Sequence, residues 1–227
     1  MKAYWLDLGY LSYGPAFKIQ EQVYQARLEN SLPSVIILQE NPATFTIGRS
    51  GSHVNLLASP DELTRRGIEL LEVSRGGDIT YHGPGQIIAS PLFYLGDLDL
   101  NANAYLHSLE DVLIEVLAAF GIKAEKQNDH PGVWIGLQKI GAVGVAVRHC
   151  YTFHGLSLNV NLDLEPFSLI NPCGVPQMQV TSMQHILGKS LPMDTVKAQL
   201  KARFSDVYRL EFEDSTWENL KSKYGLP

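Results

Sequence analysis

Residues 139–174 read KIGAVGVAVRHCYTFHGLSLNVNLDLEPFSLINPCG, and the fold turns on how this stretch is divided. Lys139 opens a run to Val147 in which Ile140, Ala142, Gly144 and Ala146 alternate with Gly141, Val143, Val145 and Val147. Both faces are small or apolar, which suits a strand covered on both sides. Phe153 to Asn161 gives a second strand, and Cys150 falls in the turn between them. An up-and-down strand pair would return the chain so that Cys173, between Pro172 and Gly174, meets Lys139. An ammonium beside a thiol enriches the nucleophilic thiolate. The same lysine, after giving up its proton, acts as general acid or base. Such a pair suits acyl transfer through a covalent thioester. Pro172 stiffens the turn, and backbone N–H groups near Gly174 could face an oxyanion. Read locally, Cys173 is equally a small buried residue and Lys139 a charge at a strand end.

Upstream lies a second unusual stretch, Arg75-Gly76-Gly77-Asp78-Ile79-Thr80-Tyr81-His82-Gly83-Pro84-Gly85-Gln86. Four glycines in twelve residues allow close approach of backbone to a ligand. Arg75, Thr80, His82 and Gln86 supply hydrogen-bonding groups. The spacing fits neither a P-loop nor a dinucleotide fingerprint. A pair of hairpin turns is the plainer reading; the mixture of Arg, Thr and His favours a binding loop.

The remaining chain supplies elements around these two stretches. Strands are expected at Tyr4–Leu8, Val35–Glu40, Thr44–Ile47, Ile68–Val73, Ile87–Tyr94 (interrupted by Pro91), Ile122–Lys126 and Gly132–Ile135. Gly48-Arg49-Ser50-Gly51, after a strand, is a candidate pocket edge. A turn is expected at Asn128-Asp129-His130-Pro131. Helices are expected at Pro15–Asn30, with Phe17, Tyr24 and Leu28 on one face, and from Ser59-Pro60-Asp61-Glu62 to Gly67. The strongest helix runs from a cap at Asn101 or Asn103 to Phe120, with Leu106, Leu109, Leu113, Val116, Leu117 and Phe120 as its apolar stripe. Met193–Tyr208 and a segment capped at Ser215 complete the helices. No repeat or linker divides the 227 residues, which read as one α/β domain, 1–227, large enough for a full core.

Composition narrows the partners. Eighteen basic against 24 acidic residues give a net charge of −6, which disfavours nucleic acid. Two cysteines make neither a disulfide framework nor a zinc site, so no metal is expected. The N-terminal segment has no signal-type apolar region, and no run is long enough to span a membrane. A cytoplasmic protein with reduced thiols is the expectation.

RGGDITYHGPGQ, KIGAVGV, TFHGLSLNVNLDL, FSLINPCG and VTSM occur in that order. With Gly48-Arg49, they make the chain resemble the lipoyl(octanoyl) transferase family, the lipoate-protein ligase B group, over most of residues 44–183. The resemblance implies a mixed-sheet α+β domain like the catalytic domain of biotin and lipoate ligases. It implies transfer of an octanoyl group, without a cofactor, to a lysine of a lipoyl domain. The donor implied is octanoyl-acyl carrier protein; the acceptors are the lipoyl domains of 2-oxoacid dehydrogenase complexes and the glycine-cleavage H protein. The acting chain would be a monomer. Cys173 corresponds to the nucleophile and Lys139 to its partner acid and base. Arg75, Gly76, Gly77, Asp78, Ile79, Thr80, Tyr81 and His82 correspond to the main substrate loop. Ala142, Val143 and Gly144, with Gly155, Leu156 and Ser157, correspond to the rest of the acyl pocket. Ser90 departs from the tyrosine expected near that place. Other readings are an ATP-dependent lipoate or biotin ligase, an amidotransferase between lipoyl proteins, and a non-catalytic lipoyl-domain binder. Because acidic partners must meet an acidic chain, a local basic patch with Arg49 and Arg148 is expected at the pocket mouth.

Overall fold

The structure, a computed structural model, describes residues 1–29, 32–127 and 130–226. Asn30 of the first expected helix and Asn128-Asp129 of the expected turn lie outside these residues. In chain order, β1 (Lys2–Tyr10) leads to α1 (Tyr13–Leu28), β2 (Ser34–Glu40), β3 (Thr44–Ile47), α2 (Pro60–Arg66), β4 (Glu69–Glu72), β5 (Ile79–His82) and β6 (Gln86–Leu92). Then come α3 (Leu95–Leu98), α4 (Ala102–Ala119), β7 (Glu125–Lys126), β8 (Gly132–Ile135), β9 (Gln138–Arg148) and β10 (Tyr151–Asn159). The chain ends with β11 (Gln179–Val180), α5 (Met183–Leu187), α6 (Met193–Tyr208), β12 (Glu211–Ser215) and α7 (Trp217–Tyr224).

Among the described residues, nine strands form one mixed sheet in the order β12-β1-β2-β6-β10-β9-β8-β7, with β11 added parallel to β9. β1 runs parallel to β2 and β12, whereas β2, β6, β10 and β9 alternate antiparallel. A three-stranded sheet, β4-β3-β5, forms a separate layer. The chain is thus a mixed α/β domain. One face of the large sheet carries α4 and α6. Leu109, Val112, Leu113, Val116 and Leu117 are fully buried there at helical spacing, each worth roughly 1.5–3 kcal/mol over exposure. Asn101 caps α4 by accepting N–H bonds from Asn103 and Ala104. The other face carries α1 and α7 at one end, and the small sheet has its own core with α2 and residues 162–170.

Several boundaries differ from the sequence expectation for physical reasons. β10 begins at Tyr151, so His149 and Cys150 make a two-residue turn with φ of 49° and 63°. Both are left-handed, as tight antiparallel hairpins require. Helix α1 presents Ile19, Gln20, Val23, Tyr24 and Arg27 inward, and Leu28 is exposed. Thr216, not Ser215, caps α7, accepting from the Asn219 N–H. β12, EFEDS, has no apolar alternation, and its pairing with β1 gives it strand form. Pro91 stays within β6, opposite Ile36, because the β6–β10 ladder ends at Ala89–Leu156 and asks no N–H of it. His154 has a φ of 57°, and a side chain at Gly155 would strike the Ala89 carbonyl and the Pro91 ring. Thr152 Oγ1 donates to the Pro91 carbonyl (2.7 Å), bridging the gap.

Candidate active site

The turn at residues 172–174 precedes β11, whose Val180 pairs with Lys139 on β9. That pairing returns the chain as the strand spacing requires: Lys139 Nζ donates to Cys173 Sγ at 3.2 Å. Cys173 has a φ of 55°, a left-handed conformation that costs a non-glycine residue energy and presents its side chain on a tight turn. Lys139 is 6% exposed, and its ammonium also lies 5.2 Å from the centre of the Trp134 ring. Gly132 lets the lysine stem pass, since a Cβ there would be 2.6 Å from Lys139 Cε. The buried carboxylate of Glu110 on α4 holds the Gly132 N–H at 2.7 Å. α4, expected only to pack, therefore also fixes the wall beside the lysine.

The glycine-rich loop covers this pair. A side chain at Gly48 would overlap the Gly77 carbonyl, so Gly48-Arg49 and the loop pack backbone to backbone. Asp78 is a clamp: Oδ1 accepts from the N–H of Ser52 (3.2 Å) and Ile79 (2.6 Å), and Oδ2 from Asn55 Nδ2 (2.7 Å). The Gly174 N–H, expected to face an oxyanion, is already bonded to the Asn171 carbonyl (3.0 Å). The N–H groups of Gly77 and Asp78 bond to nothing among the described residues, and both residues line the cavity with Cys173.

Arg75 is buried, and no carboxylate lies within ion-pair distance among the described residues. Its guanidinium donates to the Thr46 carbonyl (2.6 Å), to Thr46 Oγ1 (2.8 Å) and to the Gly76 carbonyl (3.0 Å). Gln86 Nε2 donates to the Tyr81 carbonyl (3.2 Å), so its Oε1 faces His82 Nδ1 and that nitrogen carries the ring proton; His82 Nε2 therefore accepts from Thr46 Oγ1 (3.1 Å). His82 Nδ1 then donates to Gln86 Oε1 (2.7 Å). Gln86 Nε2 donates to Asn159 Oδ1 (2.9 Å), and Asn159 Nδ2 donates to the Thr181 carbonyl (3.0 Å). The Thr181 N–H finally donates to the Lys139 carbonyl (2.9 Å). One buried, directional chain thus joins the arginine of the loop to the backbone of the lysine. Burial, opposed by the Gln86 bond and aided by the Arg75 charge, lowers His82 to about 4. Burial, with the charges of Arg75 and His82, lowers His154 to about 3. Both rings are neutral at neutral pH, and burial lowers Arg75 itself from the usual arginine value.

A cavity of about 360 Å³ begins at Cys173 and Lys139 and runs between the loop and the large sheet. Ala142, Gly144, Gly155 and Ser157 supply its small-residue floor, and Val143 and Leu156 line it while their side chains belong to the core cluster of the opposite face. Arg75, Gly76, Gly77, Asp78, Ile79, Thr80 and His82 all line it. Strand alternation turns Tyr81 the other way, onto Phe45 and Phe167 in the small-sheet core. Ile79 belongs to that core by its side chain. Tyr13 and Gln20 of α1, Gln39 of β2 and His154 also line the cavity, and none was singled out from sequence. Tyr13 OH bonds His154 Nδ1 (3.1 Å) and Ser74 Oγ bonds His154 Nε2 (2.9 Å). His154-Gly155, inside the motif TFHGLSLNVNLDL, was the one local signal for this group. The expected basic patch is divided: Arg49 stands by the loop, but Arg148 lies at the far end of β9, about 30 Å along the strand from Lys139. There it covers Tyr24 and Phe153 and pairs with Glu21 at 3.7 Å. Among the described residues no three His, Cys, Asp or Glu side chains group as metal ligands.

The family model of the lipoyl protein ligase A/B catalytic domain matches residues 12–205. The octanoyltransferase of Syntrophobacter fumaroxidans is 36% identical over 221 residues, 97% of either chain. That of Caldicellulosiruptor saccharolyticus is 38% identical over 213 residues, 93% of this chain and 91% of the relative. Among solved structures, a lipoate-protein ligase A bound with ATP superposes with a TM-score of 0.79 at 17% identity, over 99% of this chain and 93% of that one. The Aquifex aeolicus biotin protein ligase in complex with biotin and ATP gives 0.54 at 15% identity, over 92% and 70%. These two likenesses concern the fold alone.

Proposed function

The chain belongs to the lipoyl protein ligase A/B catalytic-domain family, and from that premise we propose that it is an octanoyltransferase working through an acyl-enzyme at Cys173. The observation that carries this reading is the Lys139 Nζ–Cys173 Sγ contact of 3.2 Å at one end of a cavity sized for a small ligand. The octanoyl donor is an acyl carrier protein thioester. Cys173 thiolate attacks its carbonyl carbon, and the N–H groups of Gly77 and Asp78 meet the oxygen that becomes negative. The carbon–sulfur bond to the carrier breaks, and Lys139 gives its proton to the departing thiolate. The amine of a lipoyl-domain lysine then attacks the Cys173 thioester. Lys139, now neutral, takes the proton from that amine, and Cys173 leaves as thiolate. Charge and protons return to their starting places. A thioester becomes an amide, which is downhill, so no nucleotide is consumed. The acceptors are the lipoyl domains of 2-oxoacid dehydrogenase complexes and the glycine-cleavage H protein.

Arg75 supports this role because it is a desolvated cation beside the cavity, with no carboxylate at ion-pair distance among the described residues. It favours negative charge on sulfur or oxyanion and disfavours protonation of both histidines. The fold is shared with ATP-bound ligases, so fold does not choose between the routes. An acid-adenylating route has no need of a cysteine nucleophile, and the paired Lys139 and Cys173 favour the thioester. With octanoyl-acyl carrier protein and an apo lipoyl domain, the native chain transfers without ATP, and Cys173→Ala falls to background. Full transfer by Cys173→Ala, or product only with ATP, contradicts the proposal.

A further inference from the structure

The floor of the cavity runs from small and apolar side chains beside Lys139 to an amide and a hydroxyl at β2 and β6. Across the floor, in register, stand Ala142 of β9, Ser157 of β10, Ile88 of β6 and Gln39 of β2. Neighbouring strands are about 4.8 Å apart, so Gln39 lies about 14 Å across the sheet from the β9 row. Seven carbon–carbon bonds of about 1.5 Å in zigzag make an extended octanoyl chain about 9 Å long. Such a chain, starting near Lys139, ends over β6, one strand short of Gln39.

What stands there is not hydrocarbon. Gln39 is 2% exposed; its Nε2 donates to Asn41 Oδ1 (3.1 Å), and its Oε1 has no partner among the described residues. Ser90, one row away on β6, is equally buried; its Oγ accepts from Gln20 Nε2 (3.1 Å), and its own proton finds no acceptor among the described residues. Gln20 is held by the His154 N–H on its Oε1 (3.0 Å), so it cannot turn to serve Gln39. An orphaned carbonyl and a free hydroxyl therefore face the end of the cavity from rigid strands. Ser90 stands where the family resemblance sets a tyrosine, and the small side chain leaves this wall open.

We propose that Gln39 and Ser90, with Gln20 behind them, form a polar stop that sets the length of the acyl chain. The proposal rests on the acyl-transfer reading above. With an eight-carbon chain the two groups keep their hydrogen bonds to water at the cavity end. A plain alkyl chain two carbons longer displaces that water and leaves both groups buried and unpaired, which is unfavourable. Longer chains are refused by chemistry rather than by contact.

The test uses the native chain first. Binding of octanoate, decanoate and 10-hydroxydecanoate is measured by calorimetry, and the same acyl groups are offered as carrier thioesters. The polar stop predicts about tenfold weaker binding of decanoate than octanoate, and recovery of most of that loss by 10-hydroxydecanoate although it is the longest ligand. Gln39→Leu and, separately, Ser90→Ala shift the decanoate-to-octanoate ratio toward decanoate, about tenfold for the former. Equal rejection of both ten-carbon acids, or equal acceptance of all three, overturns the stop, and the native ligand series decides this even if a variant does not fold. Should the acids bind in the predicted order without any octanoyl transfer, the stop stands and the transferase reading fails. Should none bind, the cavity is not an acyl site and both fall.

Discussion

Lys139 must carry charge in one half of the reaction and lack it in the other, so its replacement by a permanent cation is informative. Arginine keeps the positive charge beside Cys173 but does not give up a proton. Lys139→Arg is expected to retain binding of the acyl donor while kcat falls by at least about 10²-fold, in the range of lost general acid–base catalysis. An unchanged kcat would reduce the lysine to a counter-charge. At this scale the sequence was most legible where chemistry sits in short motifs. Pro-Cys-Gly, the lysine before a small-residue strand and the Arg-Gly-Gly loop could each be read in place. The wall of the cavity could not be. Tyr13 and Gln20 come from a helix, Gln39 from a strand that is otherwise mostly core, and His154, though it sits inside the TFHG motif, takes a left-handed backbone position that the motif does not announce. Tyr81 shows the opposite case: it sits inside the motif, yet strand alternation sends its ring into the small-sheet core.

The strand pair β6–β10 is the element on which the cavity floor depends. Pro91 lacks an N–H, and the sheet accepts it because the β6–β10 ladder ends at Ala89–Leu156, beside Gly155 and the left-handed His154. Gly155→Ala drives a methyl group into the Ala89 carbonyl and the Pro91 ring. The expected cost is about 1–3 kcal/mol, or roughly 2–12 °C in Tm for a chain of this size, with loss of transfer activity. Thermal unfolding checks it; an unshifted Tm would mean that the close approach at Gly155 is not needed. The central hairpin was readable from its length, its small residues and the turn between. β11 and β12 were not, since two residues and a run of acidic residues carry no period; pairing to β9 and β1 defines them. The pairing of β11 with β9 is nonetheless what brings the backbone that follows the cysteine turn alongside the lysine strand.

For the molecule as a whole, two buried neutral histidines tie stability to pH. In the unfolded chain each takes up a proton near 6.5; in the folded chain His82 does so only near about 4 and His154 near about 3. Between roughly 6.5 and 4 the unfolded state therefore binds protons that the folded state refuses. Stability is full above that window and falls as pH decreases through it. Urea midpoints should drop from pH 7.5 to pH 5, and His154→Asn, which tolerates the left-handed backbone, should flatten the dependence. Equal midpoints across the window would contradict it. The overall class, a mixed sheet with helices on both faces, was accessible because α4, α6 and the central strands are long and strongly patterned. The separate β4-β3-β5 layer that roofs the cavity was legible only in part: β3 and β4 read as strands, but β5 lies inside the glycine-rich stretch read as a loop, and no local pattern sets the three apart from the large sheet. The central claim is that the acyl group passes through Cys173, and the most direct test is the intact mass of the chain after brief exposure to octanoyl-acyl carrier protein without ATP. The account predicts a gain of one octanoyl group, labile to hydroxylamine and absent from Cys173→Ala. A native chain that transfers octanoyl to a lipoyl domain yet never carries the adduct, even without acceptor, would contradict it.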